Sequence, residues 1–155
     1  MQLVFVGTKT PSEREVLARF SAPGMLNLID HVPLSEAQAI MRQSSALLLF
    51  NPPRLARYIP GKAYDYIATG KRVLLYGEGG ELDQLLAEYP PAVQVNRQDA
   101  GALRDALNRI VGGMETCRAP GIDFLNRCNR ARSAERQMMV LEELLPPAEA
   151  RVAVA

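Results

Sequence analysis

Short apolar runs alternate along this chain with longer amphipathic stretches, and that alternation leaves few folds open. A short apolar run bounded by turn residues reads as a strand buried in a sheet. A following stretch with apolar residues every three to four positions reads as a helix that crosses back over it. Repeated, the pair gives βα units and a parallel sheet with helices on its faces. Strands are expected at 3–6, 26–29, 46–50, 72–76 and 92–95, and helices at about 11–20, 35–42, 61–69, 81–89 and 99–111. Residues 46–50 (ALLLF) are apolar throughout, which predicts a strand covered on both faces. Gly112 and Gly113 mark a break. The segment 123–145 reads as one long helix or two shorter ones, and 146–155, without period, reads as a flexible tail after a single domain over 1–145.

A chain of 155 residues, 48% hydrophobic and 23% charged, is long enough to bury a core without a disulfide or a metal. Its 18 Lys+Arg against 17 Asp+Glu give no electrostatic reason to expect nucleic acid as a partner. One histidine and two cysteines, Cys117 and Cys128, cannot assemble a structural zinc site, so the thiols read as reduced. No segment reaches the ~20 apolar residues of a membrane span, and the start MQLVFVGTKT lacks the pattern of a signal peptide. The expected compartment is the cytoplasm.

In an open parallel sheet, ligands bind outside the carboxyl ends of the strands. The loops to inspect are therefore 7–10, 30–33, 51–60, 77–80 and 96–98. The third is long for a βα connection, carries Arg54 and Arg57, and delivers the chain to Pro60-Gly61-Lys62 at a helix start. Free amides, the positive end of the helix dipole, a glycine that permits close approach and a lysine at the mouth together describe a phosphate site. Lys62, Asp65, Tyr66 and Thr69 fall at i, i+3, i+4 and i+7 and share one helix face. Two readings of the first two are open. Asp65 accepts hydrogen bonds from ribose hydroxyls below a phosphate held by Lys62, or the two form a solvated ion pair.

Read together, residues 59–74, IPGKAYDYIATGKRVL, resemble the donor-binding segment of bacterial GT-B glycosyltransferases, especially the group 1, family 4-like enzymes. The order of elements resembles that family's C-terminal half over about residues 1–145. The resemblance implies a Rossmann-like open parallel sheet of about five to six strands flanked by helices, one half of a GT-B fold. It implies a nucleotide diphosphate sugar as the donor substrate, no further cofactor, and no essential metal in the nucleotide pocket. The implied reaction is glycosyl transfer to a glycan or lipid-linked acceptor in the synthesis of cell-envelope polysaccharide. The active cleft would need an N-terminal GT-B domain as partner, with peripheral membrane association through that domain. The isolated half is expected to bind nucleotide weakly and to turn nothing over.

Carried over by position, the resemblance puts Lys62 and the Gly61 amide at the donor diphosphate and Asp65 at the family's ribose-binding glutamate. Thr8 and Lys9, after the first strand, lie where the family places groups that reach the diphosphate. The loop 30–33 lies where the base is held, and His31 there either contacts the base or is solvated. Arg57 stands where retaining members carry a second glutamate, so the paired-glutamate motif is absent; its guanidinium faces the diphosphate or the solvent. Arg72 replaces the usual proline after the glycine-lysine pair. The run Gly77-Glu78-Gly79-Gly80 lacks the spacing of a P-loop and reads as a βα turn or as a lip of the donor site. Arg118, Arg127, Arg130, Arg132 and Arg136 are interspersed with acids and read as a solvated helical face. Met138 and Met139 read as core fillers or as a seam against a missing neighbour. Three other functions are weighed: half of a UDP-GlcNAc 2-epimerase-like enzyme, whose acid/base groups have no evident match here; a phospho-receiver, which needs an aspartate at the end of the central strand where Phe50-Asn51 stands; and a non-catalytic interaction module of Rossmann-like fold.

Overall fold

The computed structural model describes residues 1–19, 24–112 and 118–145. Its strands form where the apolar runs lie: β1 (Leu3–Val6), β2 (Leu26–Ile29), β3 (Ala46–Asn51), β4 (Arg72–Gly77) and β5 (Ala92–Val95). Helices α1 (Pro11–Ala18), α2 (Leu34–Gln43), α3 (Gly61–Ala68), α4 (Glu81–Ala87) and α5 (Ala100–Val111) alternate with them, and α6 (Ile122–Cys128) and α7 (Arg130–Leu144) follow. The C-terminal segment is thus two helices. They divide at Asn129, whose extended backbone breaks the helix while its side-chain oxygen accepts the amides of Ala131 and Arg132 and so starts α7. The expected tail, Gly113 and Cys117 lie outside the described residues.

Every strand pair is parallel, but the strands do not form the one sheet of five to six strands expected. β1 pairs with β2, Leu3 opposite Leu26, while β3, β4 and β5 form a separate sheet in that order. Alternation of elements favours pairing of successive strands, which here joins β1 to β2, β3 to β4 and β4 to β5. A single sheet would also need a pairing across the sheets, such as β1 with β3, and that contact is non-local and carries no signature in either run.

The burial follows the split. Leu49, Val73 and Leu75 on one face of the three-stranded sheet pack with Ala63 and Ile67 of α3, Leu82 and Leu86 of α4, Tyr89, and Phe124 of α6. Leu74 and Val95 on the other face pack with Ala106 of α5. β4 is therefore covered on both sides. The same was expected of β3 and holds in part: Leu47 and Leu49 are buried on one face and Leu48 packs against the second cluster on the other, where Phe50 is 50% exposed at the edge of the sheet. In β1, α1, β2 and α2 no residue is fully buried. The core that holds the molecule is built from residues 47 to 124.

Candidate functional site

The long loop after β3 is held at its start and at its middle by the turn after β4. Asn51, the last residue of β3, is 2% exposed, and its amide donates to Gly79 O at 2.6 Å and to Asp83 Oδ2 at 2.9 Å. Gly77 lies opposite it, so close that a Cβ would stand 2.5 Å from Asn51 O. Further along, a 3-10 turn at Pro53–Leu55 leads to Ala56, whose carbonyl accepts the Glu81 amide at 2.8 Å. The run 77–80 is therefore a turn fastened to the neighbouring loop. The first amide of α4 is spent on Ala56 O rather than offered to a ligand. Replacing Asn51 by alanine removes both hydrogen bonds from a residue that is itself buried. The expected loss is about 2 kcal/mol in denaturant unfolding, and a loss below about 0.5 kcal/mol would show that the loop is not fastened here.

From this anchored loop the chain enters α3 at Pro60, which offers no side-chain cap. The Ala63 amide returns to Pro60 O, while those of Gly61 and Lys62 have no partner among the described residues. They face outward at the positive end of the helix dipole. The Lys62 ammonium is exposed and likewise has no partner among the described residues. Asp65 sits one turn on. Its ion pair is not with Lys62 but with Arg130 at the start of α7, at 3.2 Å, and the same guanidinium donates to Gly61 O at 3.1 Å. Arg130 thus brings a second cation to the first turn of α3. Behind this face Tyr66 is half-buried; burial first, and then the Asp65 charge, push its phenol above the usual range, so it stays neutral. Thr69 and Gly70 end the helix, the hydroxyl donating to Tyr66 O and Gly70 taking φ +68°.

The other expected residues lie apart from this cluster. Arg57 is exposed on the loop, with no partner among the described residues. Lys9 turns back on its own sheet, its ammonium donating to Gly7 O at 2.6 Å and Ile29 O at 2.5 Å, so that its charge ties the ends of β1 and β2 together. Thr8 is exposed beside it, at the edge of an open cleft of about 460 Å³ walled by Phe5, Val6, Val16 and Leu17. The start of α1 is closed by a reciprocal cap between Thr10 and Glu13. The Thr10 amide and hydroxyl hold the Glu13 carboxyl below the usual carboxylate range. His31 is exposed with no partner among the described residues, next to Asp30, which pairs with Arg14. No hydrogen bond or ion pair connects Thr8, Lys9 or His31 to Lys62 or Asp65.

Three things escaped the sequence reading: Arg130 as the partner of Asp65, the Asn51 clamp, and the close approach of Gly80 to Ala56. A polar Asn ending an apolar run just before two prolines was the available signal for the second. The other two depend on contacts between distant elements.

Comparison with family models, with curated proteins and with solved structures finds no match for this chain. Among the described residues no helix is long and apolar enough to cross a membrane, and no group of three or more His, Cys, Asp or Glu residues is placed to hold a metal ion.

Proposed function

We propose that this chain binds a nucleotide diphosphate sugar as the donor half of a GT-B glycosyltransferase, completed by an N-terminal GT-B domain. What supports the reading is the segment 59–74. The residues that resemble the family's donor motif fold as an anchored loop, an uncapped eight-residue helix and a strand, with Gly61, Lys62 and Asp65 at the mouth of that helix. The two free amides and the Lys62 ammonium neutralise a diphosphate. The Asp65 carboxylate accepts from ribose hydroxyls once Arg130 releases or shares it. The Arg130 guanidinium supplies further positive charge beside them. Transfer itself requires the acceptor and the groups of the other domain. The finer architecture, a Rossmann-like half with the two sheets aligned as one, belongs to the same proposal.

Calorimetric titration with UDP, GDP, ADP and dTDP tests it. One nucleotide should bind in saturable fashion. Lys62→Ala should then weaken it by about 10- to 100-fold, the range expected on losing one charge-assisted contact, and Asp65→Ala by a smaller but clear factor. Unchanged binding in both variants removes the site from α3. The second reading, an interaction module of this fold without the chemistry, is favoured by two observations: Asp65 is already engaged by Arg130, and the residues after β1 and β2 are not joined to α3.

A further inference from the structure

Five of the last seven residues of α7, Met138 to Leu144, are apolar, and Leu145 follows; Met138, Met139, Val140, Leu141, Leu144 and Leu145 are between 48% and 76% exposed. None of the described residues covers them. We propose that α7 pairs with α7 of a second copy of this chain, antiparallel, so that the chain is a symmetric dimer through this helix.

The charges along α7 set the occupant and its direction. Its first half carries Arg130, Arg132 and Arg136 against a single Glu135, and its last turns carry Glu142 and Glu143. A parallel pair sets like charge beside like. An antiparallel pair sets the basic half of each helix beside the acidic half of the other, which is the self-complementarity that a two-fold interface requires. An open groove on the helix is lined by Arg136, Gln137, Val140 and Leu141, and a seam laid along it covers Val140, Leu141 and Leu144 of the exposed residues. With Ser133, Gln137, Val140 and Leu144 at the heptad core positions, Gln137 lies against Val140 of the second copy and Ser133 against Leu144. One flank of that seam then places Ala134 against Leu141. The other places Arg136 against Glu143, and symmetry repeats the pair. Among the described residues Arg136 is held by long bonds to Arg132 O at 3.3 Å and Arg127 O at 3.4 Å, which leave it exposed to accept this partner.

Sedimentation equilibrium of the full chain, with charge-reversed variants, decides the matter. The wild-type chain should show a monomer–dimer equilibrium. Arg136→Glu and Glu143→Arg should each weaken it by about tenfold, because each replaces two attractions by two repulsions. The double variant R136E/E143R should return to within about threefold of wild type, since its pairs are again opposite in sign. Both positions are exposed, so circular dichroism should be the same in all four proteins. A monomer at every concentration up to millimolar overturns the proposal and leaves the stripe to a different protein or to the N-terminal domain of the proposed function. A dimer indifferent to both reversals also overturns it, because the contact must then lie elsewhere.

Discussion

Replacing Tyr89 by alanine is expected to destabilise the chain by about 3–5 kcal/mol, the largest effect of any substitution considered. Tyr89 is 1% exposed and ties three parts of the structure together. It closes the turn after α4, its hydroxyl donates to Lys71 O at 2.7 Å just before β4, and its ring stacks on Phe124 of α6 with centroids 6.0 Å apart. Removing the ring opens a cavity between the sheet and α6, and α6 has few other buried anchors: Phe124 is its one fully buried residue. The expected result is a lowered unfolding midpoint in urea together with early loss of α6 by hydrogen exchange. Tyr89→Phe keeps the packing and gives up a hydrogen bond, so about 1 kcal/mol is expected. Equal losses in the two variants would place the energy in the hydroxyl rather than in the packing.

Gly80→Ala is expected to cost about 3 kcal/mol and, unlike the first change, to act on the candidate site. Gly80 has φ +99° and ψ −175°, a conformation populated almost only by glycine. An added Cβ would also stand 2.3 Å from Ala56 O and 2.8 Å from Ala56 Cα. Backbone cannot step aside as a long side chain does, so the loop 51–60 must shift and the bond from the Glu81 amide to Ala56 O must lengthen or break. Gly79→Ala is the internal control: its φ is also positive, at +68°, but no atom lies within 4 Å of the new carbon. That change is expected to cost about 1 kcal/mol. The two together separate backbone strain from the close approach, and amide shifts spreading from Ala56 to Gly61 only in Gly80→Ala would show that this turn positions the entry to α3. Matching costs and matching shifts would mean that the contact with Ala56 does not matter.

The elements of the fold were legible because their boundaries are local. Leu3–Val6, Leu26–Ile29 and Ala92–Val95 are strands at the residues where apolar character begins and ends, and α3 begins at the glycine after Pro60. What was not legible depends on contacts between distant parts of the chain. Nothing in β1 or β3 tells whether the two share a sheet. Nothing in ALLLF tells that β3 is an edge strand on which Phe50 stays half in solvent. At the candidate site, helical spacing correctly put Lys62 and Asp65 on neighbouring positions of one face. An exposed carboxylate has several cations within reach, however, and α6 and α7 bring Arg130 closer than the lysine one turn away. The sequence therefore located the mouth of α3 but missed its second cation.

Amide-resolved NMR of the full chain, titrated with UDP, GDP, ADP and dTDP, follows the proposed binding of a nucleotide diphosphate at the mouth of α3. Saturable shifts are expected with one of the four, largest at Gly61 and Lys62, extending to Asp65 and Arg130, and abolished in Lys62→Ala. Shifts absent from these residues with every nucleotide at millimolar concentration, or centred on the cleft beside Thr8 and Val16 instead, would contradict that binding.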